Sequence, residues 1–283
     1  MRSPVMGGAS SFAAITDWLQ DLDEHARTRL GFGDVVPAGT TMWRLLIRLD
    51  PALLATVLAG WLHTRAHQSG PPMPHRYRRV IAVDGKTLRG ARLGSSRQVH
   101  LLSALDTATG IVIAQVTVDT KSNEITSFAP LLDAVEKVLG TLAGVLFIAD
   151  ALHTQTGHAD EVTARRAHLL VQVKGNQPTL FKQLKRLPWA QIPVGDRTRD
   201  HGHGRRETRT VKAVTVQTPG GIGFPHAKQA ARITRTRIAA GKTSRETAYL
   251  TVSLPAGQAL PAICRPGSAA TGTSRTSSTM SAT

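Results

Sequence analysis

Two short apolar segments of the chain each end in a single aspartate. In VIAVDG the aspartate is Asp84, and in GVLFIAD it is Asp150. A short run of β-branched and other apolar residues, bounded by glycine and polar positions, predicts a buried strand. Two strands that bring one carboxylate each to the same sheet edge would form a divalent-metal site, because Mg²⁺ binds few protein carboxylates and retains waters or substrate phosphates. Spacing alone leaves open the alternative that both are turn or helix-cap residues.

The surrounding pattern predicts an α/β fold. From N to C terminus the predicted elements are strands 80–85, 99–105 and 111–119, helix 122–139, strand 144–150, helix 158–167, strand 168–175 and helix 177–187. The order β-β-β-α-β-α-β-α is that of the ribonuclease H-like fold, in which the first and fourth strands are neighbours. We therefore expect Asp84 and Asp150 to meet in space, although 66 positions separate them.

The segments on either side of this core differ in composition. Helical periodicity at 12–30 and 42–62, with a new helix starting at Asp50-Pro51, predicts a small helical segment over residues 1–70. This helical part either reads DNA or packs on the next domain. Residues 63–79 are interpreted as a linker that ends in a basic cluster, and the predicted core covers 71–187.

A basic, β-rich insertion is predicted at 188–255, after the fifth strand, with strands at 207–217, 230–240 and 246–254. The net charge of the chain is +16. Residues 1–161 contain 15 Lys and Arg and 15 acids, so the excess comes from 162–283, with 20 Lys and Arg against four acids. Such a surface attracts a polyanion. Aromatic residues make up only 4%, which favours duplex backbone contact over single-strand base stacking.

Several protein classes are excluded or disfavoured. A single cysteine, Cys264, excludes an internal disulfide framework and a cysteine-based zinc site. No apolar run approaches the roughly 20 residues of a membrane helix, and the start lacks the apolar region of a secretory signal. We expect a cytoplasmic protein with no membrane partner.

Together the motifs resemble the DDE transposases of bacterial insertion sequences, of the ISAs type that includes the H-repeat-associated proteins. The matching segments are IAVDGKTLRGA, HLLSALDTATGIVIAQVTVDTKSNEIT, ADALHTQ, VKGNQPTL and HGRRETRTV. The resemblance covers residues 12–255. It implies a ribonuclease H-like core in which two Asp and one Glu bind two Mg²⁺ or Mn²⁺ ions for DNA cleavage and strand transfer. Carried over by motif, Asp84 and Asp150 are the two catalytic and metal-binding aspartates.

The third carboxylate is where the sequence departs from the family. The family's late RGHW-x-IEN segment is absent, and no third catalytic carboxylate is identified. Residues 256–283 end in a Ser/Thr-rich stretch of disordered composition, for which we expect an aberrant tail from truncation or a frameshift. Glu124 is the further metal-ligand candidate, because ribonucleases H use an acid at the start of the equivalent helix. Glu207 is expected to pair with arginine, and Glu246 is the weakest candidate.

Other residues are candidates for DNA contact. Lys86 and Arg89 follow the first aspartate and either hold a phosphate or pair with it. His153 either orients water or phosphate or serves as a capping or packing residue. Lys174 and Asn176 lie before a helix, where a phosphate or a cap is equally reasonable. The HGHGRR stretch is interpreted as a flexible DNA-facing loop, and the predicted contacts in the insertion are Arg205, Arg206, Arg209, Arg235 and Arg237.

The prediction is therefore an insertion-sequence transposase that acts on double-stranded DNA, at transposon ends and target, with divalent metal. A homodimer is retained as an option. Impaired catalysis is expected in this copy. The alternatives are a catalytically dead DNA-binding remnant and a ribonuclease H-like nuclease that uses Glu124.

Overall fold

The protein was analysed as a computed structural model, which describes the residues of seven ranges. These are 11–33, 35–69, 79–92, 98–118, 124–202, 205–216 and 221–256, without the side chains of 67–69 and 89–92. The predicted tail after 256 lies outside them. The chain divides into two compact units, Met1–Leu54 and Ala55–Thr283.

The first unit is helical. Its helices are α1 (Phe12–Gln20), α2 (Glu24–Arg29) and α3 (Gly39–Leu46). The helical periodicity over 12–30 corresponds to two helices. Asp23 starts the second one by accepting a hydrogen bond from the Ala26 amide at 2.7 Å. Gly39 allows α1 and α3 to approach, since a Cβ there would lie 3.2 Å from the Phe12 backbone.

Helix α4 (Pro51–Ser69) starts where the sequence predicts. Asp50 accepts hydrogen bonds from the amides of Ala52 and Leu53, at 2.8 and 3.3 Å, and Pro51 needs no amide partner at the first helical position. The helix continues to Ser69, so the predicted linker at 63–79 is wrong for its first seven residues, and 70–78 lie outside the described part.

Helix α4 carries exposed apolar side chains, including Val57, Leu58, Trp61 and Leu62. No single helix among the described residues is both long enough and apolar enough to cross a membrane. The bent pair Gly39–Leu46 and Pro51–Ala66 reaches that length and composition only when the two are taken together.

The second unit is built on one mixed sheet. Its described strands are β1 (Val80–Arg92), β2 (Gln98–Asp106), β3 (Ile111–Thr117), β4 (Leu146–Ala149), β5 (His168–Val173), β6 (Asp196–Gly202), β7 (Arg205–Thr215), β8 (Gln229–Ala239) and β9 (Lys242–Val252). Their order across the sheet is β3-β2-β1-β4-β5-β9-β8-β7-β6. Strand β4 lies parallel to β1 and β5, and the other neighbours are antiparallel.

The predicted order of strands and helices through residue 187 is confirmed. Helices α5 (Phe128–Leu139), α6 (Thr156–Ala164) and α7 (Pro178–Arg186) alternate with the strands as expected. Several boundaries differ by a few residues, and two of these differences affect the candidate site. Strand β1 continues past 85 to Arg92 because β2 pairs along it, and α5 begins at Phe128, so Glu124 lies in the turn before the helix.

The insertion does not form a separate sheet. Strand β9 pairs with β5 through Leu170↔Val252 to Val173↔Tyr249, so β6–β9 extend the core sheet. The sequence prediction found β7, β8 and β9 but missed β6. Its sequence, DRTRDHG, has no apolar residue, so it offers no apolar alternation, and β6 forms through its ladder to β7.

Apolar side chains bury both faces of the central strands. Ile81 and Phe147 pack on one face with Phe128 and Leu132 of α5. Leu146 belongs to a cluster on the opposite face, together with Ile148, Leu170, Ile233 and Leu250. All four residues of β4 are buried, which explains why its sequence is continuously apolar rather than alternating. The sheet therefore places the end of β4, and Asp150, at a rigid position.

Candidate active site

Asp84 lies on β1, and Asp150 directly follows the neighbouring parallel strand β4. The observed register pairs Ala82 with Ile148, and counting two residues further on each strand places Asp84 opposite Asp150. Asp150 keeps an extended backbone, with φ −75° and ψ −175°. Asp84 lies two residues after Ala82, and Asp150 lies two residues after Ile148. Because side chains alternate between the faces of a strand, both aspartates project from the face that carries Ala82 and Ile148. Both aspartates are exposed.

Asp150 also caps the short 3₁₀ turn Ala151–His153. Its Oδ1 accepts a hydrogen bond from the Leu152 amide at 2.9 Å, so the cap alternative from the sequence is what the side chain does here. A carboxylate has two oxygens and about four acceptor sites. Capping therefore fixes the orientation of Asp150 without using up its capacity to bind a cation.

The segment after Asp150 is held by the loop after β5. The Asn176 side chain donates to the Ala151 carbonyl at 2.7 Å, and the Gln177 side chain donates to the Thr154 carbonyl at 2.8 Å. Thr154 in turn donates to the Gln172 carbonyl at 2.7 Å. The cap interpretation of Asn176 is wrong, because Gln177 precedes the helix and the Asn176 side chain donates to Ala151 instead. Its contact with a phosphate stays a prediction. Lys174 in the same loop is exposed.

Glu124 lies against the strand residue that follows Asp84. A Cβ built on Gly85 would lie 2.2 Å from Oε1 of Glu124. That oxygen is 2.6 Å from Nε2 of His100, whose Nδ1 is 2.8 Å from the Thr87 hydroxyl. Successive strand residues face opposite sides, so Glu124 lies on the side of β1 away from the Asp84 side chain.

His153 is a packed residue with 1% of its surface exposed. Its ring centroid lies 5.1 Å from that of Phe128 and 5.3 Å from that of His158, and its Nε2 is 3.7 Å from Oε2 of Glu124. Burial, then the neighbouring His158, lower the pKa of His153 to about 4, although Asp150 acts in the opposite direction. A neutral, enclosed imidazole does not fit the predicted DNA contact and agrees with the packing alternative.

The donor set at the two aspartates suits a hard cation such as Mg²⁺, because it consists of carboxylate oxygens. Within the described ranges, no group of three or more His, Cys, Asp or Glu residues is arranged to hold a metal ion. The pair would therefore need water or substrate phosphate oxygens to complete the coordination of a cation.

Glu207 lies far from the two aspartates, since β7 is five strands from β1 in the sheet, or about 24 Å. It accepts hydrogen bonds from Arg209 and Arg235, each at 2.6 Å, which confirms the predicted arginine pairing. Glu246 is 3.8 Å from Arg235. Two of the arginines predicted to bind DNA thus have an acidic partner within the protein.

The remaining predicted contacts differ in position. Lys86 is exposed and lies two residues after Asp84, hence on the same face. The side chain of Arg89 lies outside the described part. Arg205 and Arg206 are the first residues of β7, and His201 and Gly202 end β6, so the predicted flexible loop at 201–206 is wrong for its described residues. Arg237 lies on β8 opposite Glu207. The sequence analysis missed Gly85 and His100 as neighbours of Glu124, although the glycine directly after Asp84 was a usable signal for a close approach.

Comparisons with known proteins give a consistent picture. A family model described as the transposase DDE domain matches residues 76–262. YncI of Escherichia coli strain K12, named as a transposase, is 29% identical over 216 residues, which are 72% of this chain and 81% of that protein. YhhI of the same strain, named as H repeat-associated, is 30% identical over 67% of this chain and 51% of its own length.

Other relatives extend further than the matched region. The chain spans about half the length of YncI of Escherichia coli O157:H7 (51%) and of YbfL of strain K12 (53%). The cryo-EM structure of a piggyBac transposase synaptic complex with hairpin DNA aligns with 85% of this chain and 43% of that chain. Its identity is 13% and its TM-score 0.34, which is too low to carry an argument.

The family model covers more than half of the sequence, and two of the relatives, YhhI and YbfD of Escherichia coli strain K12, are named as H repeat-associated. The chain belongs to the DDE transposase family, to its H repeat-associated type.

Proposed function

We propose that the chain acts on double-stranded DNA as a metal-dependent transposase with a ribonuclease H-like core. The observation that carries the proposal is the pairing of Ala82 with Ile148 in the parallel ladder of β1 and β4. Continued by two residues on each strand, this register would put Asp84 opposite Asp150 on one sheet face. The strand order β3-β2-β1-β4-β5 is the order expected for that core. Such an enzyme works in the bacterial cytoplasm, at the nucleoid.

Asp84 and Asp150 are the residues that would hold a divalent ion, Mg²⁺ or Mn²⁺. When bound, the ion supplies Lewis acidity and activates water or a DNA 3′-OH for attack on a phosphodiester. The protein's part is to orient the carboxylates. The hydrogen bond from the Leu152 amide orients Asp150, and the hydrogen bonds from the Asn176 and Gln177 side chains hold the segment after it. Lys86 lies on the same face and can attract a phosphate.

A second function is favoured by one specific observation. Because no three-carboxylate group is assembled among the described residues, a protein that binds transposon ends without cutting them is the alternative. A nuclease that uses Glu124 is less favoured, since Glu124 lies across β1 from the Asp84 side chain and is engaged by His100.

The deciding experiment is a cleavage and strand-transfer assay on duplexes with the terminal repeats of the element, in Mg²⁺ and in Mn²⁺, with gel-shift in parallel. Strand transfer supports the transposase, a shift without cutting supports the end-binding protein, and nicking alone supports the nuclease. Asp84→Ala and Asp150→Ala should abolish cutting and leave DNA affinity unchanged or slightly raised, because each removes a negative charge. A large loss of affinity in both would instead mean that the aspartates are structural.

A further inference from the structure

The last four strands sort their side chains onto two faces that differ in chemistry. The ladders β6–β7, β7–β8 and β8–β9 are in continuous register. Directly paired residues therefore share a face across all four strands. We call the side that carries Thr208, Thr236 and Thr243 the threonine face, and the side that carries Glu207 and Glu246 the glutamate face.

The two faces have very different charge. The threonine face has six basic residues and no Asp or Glu, whereas the glutamate face has five basic residues and four acids. On the threonine face the basic residues are Arg197, Arg199, Arg206, Lys212, Arg232 and Arg245. On the glutamate face the basic residues are Arg205, Arg209, Arg235, Arg237 and Lys242, and the acids are Asp196, Asp200, Glu207 and Glu246.

The glutamate face neutralises part of its own charge. Glu207, 8% exposed, receives hydrogen bonds from Arg209 on its own strand and from Arg235 on β8. Burial alone would raise the pKa of Glu207, but the hydrogen bonds from Arg235 and Arg209 outweigh it and hold that pKa below its usual range. These two arginines support the fold of the sheet and are poorly placed for a polyanion.

The basic residues of the threonine face form two groups, one at each end of the strands. At one end lie Lys212 and Arg232, and both contact Trp189. Lys212 donates to the Trp189 carbonyl at 2.7 Å, and the Arg232 guanidinium lies 5.3 Å from the centroid of the Trp189 ring. The other end contains four arginines that are exposed and have no ion-pair partner among the described residues. They are Arg197, Arg199, Arg206 and Arg245.

One row across this end shows the spacing. Arg199, Thr208, Thr236 and Arg245 pair in sequence across four strands. The two arginine Cα positions are thus three strand spacings apart, about 14 Å, comparable to the roughly 12 Å width of the DNA major groove. Arginine and threonine side chains are common donors to phosphates. No aromatic residue lies in the strands at this end, which favours duplex over single-stranded DNA.

We infer that the exposed end of the threonine face binds the phosphate backbone of duplex DNA, and that the glutamate face does not. The inference rests on the proposed function, in which the chain acts on DNA. It assigns a DNA-contact surface in addition to the site at Asp84 and Asp150, on the other side of the sheet. It moves the contact away from four predicted residues of the glutamate face, Arg205, Arg209, Arg235 and Arg237. It keeps Arg206 and adds Arg197, Arg199 and Arg245, which the sequence analysis did not select.

Two triple variants of the full chain test the assignment. The first is Arg199→Gln, Arg206→Gln and Arg245→Gln on the threonine face. The matched control is Arg205→Gln, Arg237→Gln and Lys242→Gln on the glutamate face, which removes the same charge from side chains that make no described ion pair. Affinity for a labelled 30-bp duplex of random sequence is measured by fluorescence anisotropy across a series of salt concentrations, after thermal unfolding confirms that each variant is folded.

The threonine-face variant should bind at least about tenfold more weakly, and its plot of log K against log salt should flatten by about 0.9 for each phosphate that the variant no longer neutralises. The control should change less than about twofold. Equal losses of affinity in both variants would overturn the face assignment alone, and so would preference for a single strand of the same length. If the unmodified chain fails to bind duplex, the proposed function fails with it. If the triple variant does not fold, Arg245→Gln against Lys242→Gln on the same strand gives the same comparison.

Discussion

The carboxylate of Glu124 occupies the space into which a side chain at Gly85 would extend. A Cβ at Gly85 would lie 2.2 Å from Oε1 and 2.5 Å from Oε2 of Glu124. Real Cβ contacts are not this short, so a side chain at residue 85 requires the Glu124 carboxylate, which contacts His100, to move. The glycine after Asp84 is therefore explained by a neighbour from the turn before α5, and not by a turn in the strand.

We predict that Gly85→Ala displaces Glu124 and lowers the free energy of unfolding by about 1–3 kcal/mol, the usual cost of overpacking. Urea unfolding measures the change. Gly175→Ala is the control, because a Cβ there meets nothing within 4 Å. Equal stability of the two variants would mean that Glu124 moves aside without cost and that the His100 contact is weak.

The core of the fold was predictable from sequence because its strands are apolar runs with clear boundaries. The register that aligns Asp84 with Asp150 followed from the strand order, and not from any local pattern. Two features had no local signal. Strand β6 contains no apolar residue, and the pairing of β5 with β9 joins Val173 to Tyr249 across 76 positions, which periodicity cannot reveal.

The site was only partly predictable for a related reason. Alternation along a strand is visible in sequence, but the partner strand and its register determine which arginines share a face with an acid. Arg235 and Arg237 are equally basic in the sequence, and only Arg235 makes an ion pair with Glu207. Similarly, His153 follows Asp150 by three positions, which suggested that it orients water or phosphate, but the side chain is buried and packs against the ring of Phe128.

We predict an acid-sensitive fold from His153. Burial and His158 lower the pKa of His153 to about 4. Between pH 6.5 and 4, His153 is therefore protonated in the unfolded chain and stays neutral in the folded chain. The contribution of His153 to the free energy of unfolding is fully present above pH 6.5. It decreases by on the order of 3 kcal/mol as the pH falls towards 4. Urea unfolding between pH 7 and 4 measures it. His153→Leu should flatten this dependence, whereas the exposed His226→Gln should not. An unchanged slope in His153→Leu would contradict the prediction.

Glu207 should make folding stability depend on pH over a lower range than His153 does. The pKa of Glu207 is below the usual value because the hydrogen bonds of Arg235 and Arg209 outweigh the effect of burial. The stability from this group is present above about pH 4.5 and is lost as the pH falls through the lowered pKa. Glu207→Gln should cost about 1–3 kcal/mol at pH 7, and the difference from the unmodified chain should shrink below pH 4. Glu246→Gln, with a side chain 73% exposed, should cost less than about 0.5 kcal/mol. Equal costs would show that Glu207 does not organise the glutamate face.

Asn176 and Gln177, in the loop after β5, donate hydrogen bonds to the segment after Asp150. We predict that losing one of these bonds affects local opening of that segment more than the free energy of global unfolding. Asn176→Ala removes the hydrogen bond to the Ala151 carbonyl and should cost only about 0.5–1.5 kcal/mol overall. Amide hydrogen exchange should nevertheless quicken in residues 151–154, because that segment loses one of its ties to the β5 loop, while protection in β4 stays unchanged. Lys174→Ala, an exposed change in the same loop, is the control. If exchange quickens equally in β4, Asn176 supports the whole strand and does not specifically position the segment after Asp150.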